Sequence, residues 1–196
     1  MCFTGLRCEL RNCAGLHITV AINFSARLLD DDNLTDRFSL LLKKYGISAS
    51  MVTIELTETA LATNPEKSRL ILNALAALGA KISIDDFGAG YTSLRYLREF
   101  DIAEIKIDRM FVSGLLHGSK DEAIIRSVVA LGRNFDVPIV AEGIEDVACL
   151  AHLTDLGCTY GQGFQICYPL PASEIPAWWN ARNAATNPGR IISALS

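Results

Sequence analysis

Six short apolar stretches recur along the chain, and each runs into a polar or charged residue. HITVAI leads to Asn23, MVTI to Glu55, KISI to Asp85 and Asp86, AEIKID carries Lys106 and Asp108, VPIVA leads to Glu142, and CTYG to Gln162. Strands commonly end where the chain meets water, so one polar end says little. Six in order predict a parallel barrel, which gathers the C-terminal ends of its strands on one face, where active sites are built.

Helical patterns alternate with these stretches. Leu34, Phe38, Leu41, Leu42 and Tyr45 fall on one helical face, followed by Lys43 and Lys44 in the last turn and Gly46 as the stop. Asn64 and Pro65 open a second helix with Ile71, Leu75 and Leu78 on its inner stripe. Ser119 and Glu122 have capping-box spacing ahead of a third, and Asp146 caps a fourth in which Val147, Leu150 and Ala151 face inward. A short helical stretch is expected at Leu94–Leu97. The alternation runs from about His17 to Trp179 and predicts parallel strands, rich in Ile and Val, covered on both faces.

A doubly wound sheet would concentrate its ligand groups at one switch point. Here every strand end contributes, so an α/β fold of the TIM-type (β/α) barrel is predicted. Such a barrel takes eight strands in about 250 residues, and this chain supplies six. The expectation is an incomplete barrel domain over residues 1–180, its first two strands missing, with residues 1–16 ending a helix and 181–196 forming a frayed tail.

Composition narrows the chemistry. The 196 residues are 50% apolar and 20% charged, enough for a core without staples. With 18 basic and 22 acidic side chains the net charge is −4, so no basic field attracts a DNA or RNA polymer. An anionic phosphate reaches such carboxylates only behind divalent cations. Cys2, Cys8, Cys13, Cys149, Cys158 and Cys167 form no C-x-x-C pair and read as buried or incidental thiols of a reducing cytoplasm. No signal segment or apolar run of membrane-spanning length is present, so the expected location is cytoplasmic.

The most specific string is DDFGAGYTSL, residues 85–94. Adjacent carboxylates leaving a strand can share two cations, and Gly88 and Gly90 permit close backbone approach; an Asp-rich turn capping the next helix is the plainer alternative. In IELTE, Glu55 fits a metal ligand and Glu58 a group that pins a neighbouring loop, or both are solvated carboxylates. In KID, Lys106 and Asp108 share a face of an extended chain, either orienting a phosphate oxygen or forming a structural ion pair. AEGIE offers Glu142 as ligand or base, with Glu145 beyond it, and YGQGF offers Gln162 as a hydrogen-bonding group.

Together, VAINFS, IELTET, DDFGAGYTSL, IKIDRMFV, VAEGIE and GQGF closely resemble the EAL family of cyclic di-GMP phosphodiesterases, from about Leu6 to Trp178. The resemblance implies a TIM-like barrel, two divalent cations (Mg or Mn) and hydrolysis of cyclic di-GMP to linear pGpG. It implies Asn23, Glu55, Asp85 and Asp86 as metal-site residues, and Lys106, Glu142 and Gln162 as catalytic ones. Glu58 and Thr92 are implied to steady the DDFGAGY loop, with Asp108 and Glu145 in support. The Glu-Ala-Leu triplet, whose glutamate is a metal ligand, does not occur in these 196 residues. Turnover by this chain alone is therefore expected to be weak or absent, and the chain is expected to form a homodimer or to be joined to sensory or regulatory domains. The alternatives are a non-catalytic cyclic di-GMP receptor or interaction module and an unrelated metal-dependent barrel enzyme.

Overall fold

The computed structural model describes residues 18–88, 94–116 and 119–185. Six strands, β1 (Val20–Asn23), β2 (Val52–Thr57), β3 (Lys81–Phe87), β4 (Glu104–Ile107), β5 (Ile139–Ala141) and β6 (Tyr160–Gly161), form one sheet in sequential order. Every neighbouring pair is parallel. Each crossover therefore advances the sheet in the same direction, with no reversal to create the switch point of a doubly wound fold. The result is a half-barrel, an incomplete TIM-type barrel.

The three central strands do not present apolar residues on both faces, whereas β5 (Ile139, Val140, Ala141) is apolar and buried throughout. In β2, Val52, Ile54 and Leu56 alternate with Thr53, Glu55 and Thr57; in β3, Ile82 and Ile84 alternate with Lys81, Ser83 and Asp85; in β4, Ile105 and Ile107 alternate with Glu104 and Lys106. Side chains two apart share a face, so one face is aliphatic and the other polar. Ile54, Leu56, Ile82, Ile84, Ile105 and Ile107 are essentially inaccessible, each burial contributing ~1.5–3 kcal/mol. The polar face leads to the strand ends and the candidate site.

Between the strands lie α1 (Ala26–Leu29), α2 (Leu34–Tyr45), α3 (Glu58–Thr63), α4 (Pro65–Ala77), α5 (Leu94–Glu99), α6 (Arg109–Gly114), α7 (Ser119–Phe135) and α8 (Val147–Leu156), with α9 (Ile175–Ala185) after β6. Their ends follow local chemistry. Gly46 closes α2 in the left-handed region, the Asn64 side chain accepts from the Lys67 N–H (3.4 Å) at the start of α4, and Asp146 Oδ1 accepts from the Cys149 N–H (2.7 Å) at the start of α8.

Two inner faces differ from those the periodicity suggested. Leu72 and Leu75 are buried in α4, whereas Leu78, past its end, is exposed. In α8, Cys149, Leu153 and Leu156 are buried, whereas Val147 is 66% exposed. Apolar residues occupy both sides of VACLAHLTDL, so the pattern admits two stripes and packing selects one. The helix α9 continues past Trp179 to Ala185, with the Arg182 guanidinium 5.5 Å over the Trp178 ring. The expected helix before β1, the Ser119 side chain of the capping box and residues 186–196 lie outside the described residues.

Candidate active site at the strand ends

Neighbouring parallel strands stand ~4.8 Å apart, so residues at matching heights on successive strands meet. Lys106 on β4 is the focus: its Nζ lies 2.9 Å from Glu55 Oε1 on β2, 3.4 Å from Asp85 Oδ1 on β3, and 2.5 Å from Glu142 Oε1 just beyond β5. Lys106 and Glu55 are both buried. Burial alone would lower the lysine pKa, but the Glu142 hydrogen bond and charge, then those of Glu55, outweigh it and leave the pKa raised. The ammonium is therefore permanently charged at neutral pH. Glu142 moves upward as well, through burial first, because several carboxylates compete for one cation that only partly offsets the loss of water.

The end of β3 is shaped for a second role. Its register against β4 shifts between Ile84 and Phe87, and Asp86 adopts φ +52, a left-handed conformation uncommon outside glycine. The Asp86 N–H donates to Asp85 Oδ1 at 3.1 Å, and burial followed by the Asp85 and Asp108 charges raises the Asp86 pKa. Carboxylate oxygens of Asp85, Asp86 and Glu142 lie within 4.8 Å of one another. Hard oxygen donors with excess negative charge fit Mg2+ or Mn2+, whose ligand bonds are ~2.0–2.2 Å. Asp85, Asp86 and Glu142 would hold such an ion, with Glu55 adjoining through Lys106.

The other sequence candidates divide. Asn23 is exposed at the end of β1, in register with Glu55. Glu58 is buried, not extended: Thr57 Oγ1 accepts from the Ala60 N–H (3.2 Å) and makes Glu58 the first residue of α3. Asp108 lies just past the end of β4, with φ −55 and ψ 138. Its Oδ1 accepts from the Met110 N–H at 2.7 Å and caps α6, although its charge still reaches Asp86. Thr92 lies outside the described residues.

Gln162 follows β6. Its N–H donates to the Ala141 carbonyl (2.8 Å) and its carbonyl accepts from the Ile144 N–H (3.0 Å), tying it to both sides of Glu142. Glu145 is exposed and pairs with Arg109 at 3.6 Å. Two residues escaped the sequence reading. Glu104, half-buried with a pKa raised by burial and then by the Glu55 charge, is two residues from Lys106, so the alternation that linked Lys106 to Asp108 pointed to it too. Arg109 packs against Gly143, where an added Cβ would lie 2.5 Å from the Arg109 Cβ, and no local signal marks that approach.

The EAL domain family profile matches residues 6–169. The bifunctional diguanylate cyclase/cyclic di-GMP phosphodiesterase MucR of Pseudomonas aeruginosa is 42% identical over 158 residues, which is 81% of this chain and 23% of MucR. The first curated relatives are all longer: the chain spans 20% to 23% of their length. Among solved structures, the PaMucR phosphodiesterase in complex with c-di-GMP superposes with a TM-score of 0.82 at 39% identity, over 87% of this chain and 69% of that one. The manganese/cy-diGMP complex of Klebsiella pneumoniae BlrP1 gives 0.70 at 30% identity, over 78% and 39%. With its strand-end motifs, its sheet order and the family match in agreement, the chain belongs to the EAL domain family.

Proposed function

We propose that this chain carries most of the active site of a cyclic di-GMP phosphodiesterase that opens one phosphodiester bond to give linear pGpG. The observation that supports this most is the gathering of Glu55, Asp85 and Glu142 around the Lys106 ammonium, with Asp86 beside them, on four adjacent strand ends. Two divalent ions, Mg2+ or Mn2+, would supply charge neutralisation of the phosphodiester and activation of water. Asn23, Glu55, Asp85 and Asp86 are assigned to holding them.

Glu142, whose pKa burial raises, is assigned either to ligating the second ion with Asp85 and Asp86 or to taking a proton from the attacking water. Lys106 stays charged and orients a phosphate oxygen or the nucleophile. Gln162 secures the Glu142 loop from below and offers its amide to the ligand. Glu58 and Thr92 are assigned to steadying the DDFGAGY loop, and Asp108 and Glu145 to supporting the site from outside the cluster. The relatives' greater length supports a parent polypeptide with sensory or regulatory domains, and a homodimer is the proposed assembly. The proposed location is cytoplasmic; among the described residues no helix is long and apolar enough to cross a membrane.

The test is chromatographic detection of pGpG after incubation with cyclic di-GMP. A slow, Mg2+-dependent yield, abolished by chelator and by Glu142→Gln, is expected. Product formation that ignores both would overturn the reading, and metal-dependent binding without pGpG, even after a Glu-Ala-Leu segment is supplied, would establish the receptor alternative.

A further inference from the structure

We propose that Phe164 and Tyr168 form a stacking platform for one guanine base of the cyclic dinucleotide. This rests on the cyclic di-GMP reading above and adds how a base of that ligand is recognised. The two rings are stacked, with centroids 4.7 Å apart and an interplanar angle of 16°. Phe164 is nevertheless 52% and Tyr168 67% exposed. Aromatic surface left in water is covered favourably by another flat ring, and a purine base is such a ring. Base–aromatic stacking needs no charge on the protein. It therefore suits a chain of net charge −4, in which cations and not basic side chains would meet the phosphates.

The backbone ties this pair to the phosphate site. All six strands are parallel, so the segment leaving β6 emerges on the face where the ends of β2 to β5 carry the carboxylates. Three hydrogen bonds staple that segment to the loop bearing Glu142: Gln162 N–H to the Ala141 carbonyl (2.8 Å), Ile144 N–H to the Gln162 carbonyl (3.0 Å) and Gln165 N–H to the Ile144 carbonyl (3.0 Å). Gly163 approaches the same loop so closely that an added Cβ would overlap the Ile144 backbone. The Ile166 and Cys167 N–H groups then both donate to the Gly163 carbonyl, at 2.9 and 3.1 Å, closing a tight turn that brings Tyr168 against Phe164. The platform is thus held at a fixed offset from Glu142 before a ligand arrives, so stacking requires little further ordering of the protein. A cyclic dinucleotide carries its bases outside the phosphodiester ring, which leaves a base free to reach this rim while a phosphate sits at the strand ends.

The experiment titrates cyclic di-GMP, with Ca2+ present, into the parent, Phe164→Ala, Tyr168→Ala, Tyr168→Phe and Asp85→Asn chains. Each alanine variant should bind about tenfold or more weakly, Tyr168→Phe should keep the parent's affinity, and Ca2+ binding without nucleotide should be the same in all three aromatic variants. In the parent, nuclear Overhauser contacts between the Tyr168 ring protons and guanine H8 are expected, which needs no variant to fold. Parental affinity in both alanine variants, or no such contacts in the saturated parent, would overturn the platform, and binding lost in Asp85→Asn would then leave the metal-site reading standing. An equal loss of Ca2+ binding in the alanine variants would mark a structural role, and weaker self-association with unchanged nucleotide affinity would mark a protein contact; either would overturn the platform. Absence of cyclic di-GMP binding by the parent would overturn the functional reading itself, and the platform with it.

Discussion

Gly143 controls how closely α6 approaches the loop that carries Glu142. Its φ of +71 lies in the left-handed region, and a Cβ there would meet the Arg109 Cβ at 2.5 Å. Gly143→Ala is expected to cost ~2 kcal/mol or more from strain and overlap together, read as a lower midpoint in chemical denaturation. At the same scale, Asp85 should couple metal to folding, since a ligand bound only by the folded state stabilises it by ~2.7 kcal/mol at a hundredfold excess over Kd. The Mg2+-induced rise in melting temperature should therefore be clearly smaller in Asp85→Asn, and an equal rise in both chains would contradict the ligand assignment. Glu55, Asp85, Lys106 and Glu142 were legible in the sequence because each ends an apolar run. The capping role of Asp108 was not legible, since it depends on the Met110 N–H, although its charge still reaches Asp86. Arg109 was invisible because its role depends on contact with a loop distant in sequence.

The elements were legible where a single stripe or cap settled them. The αL glycine after α2 and the Asn64-Pro65 start of α4 are local instructions that packing had no reason to override. The short helices α1, α3 and α6 were not, although the equally short α5 was, since so few residues carry little periodicity. Asp146→Ala should destabilise the fold by ~1 kcal/mol through loss of the α8 cap, measured by denaturant titration. The helices α7 and α8 are also joined by Glu122, which accepts from Arg126 on its own helix at 2.6 Å and pairs with His152 across the gap at 3.2 Å. Arg126 first and His152 second lower the Glu122 pKa from its ordinary 4.5. A depressed carboxylate stabilises above its unfolded pKa and loses that contribution as pH falls through the folded one. The melting temperature of the parent should thus fall more steeply than that of Glu122→Gln as pH drops below ~4.5, and parallel curves would show the link to be idle.

At the scale of the whole molecule, sequential parallel order was legible because strand and helix patterns alternate without interruption. Coverage of both sheet faces was legible in the Ile- and Val-rich strands, but the polar character of the second face was not, since Thr53 and Ser83 are buried there beside Glu55 and Lys106. Among the described residues the outer edges of β1 and β6 have no strand partner, and unpaired edges recruit other chains. The isolated chain is expected to self-associate at micromolar concentration in light scattering, and a cooperative, monodisperse monomer would contradict this. The central claim is that the carboxylate and lysine cluster binds cyclic di-GMP through divalent ions. Its most direct test is calorimetric titration of cyclic di-GMP into the parent and Asp85→Asn chains, with Ca2+ to limit turnover and with chelator. Binding by the parent that requires the ion and is lost in Asp85→Asn is the predicted result; ion-independent binding unaffected by the substitution, or no binding with Ca2+ present, would contradict the account.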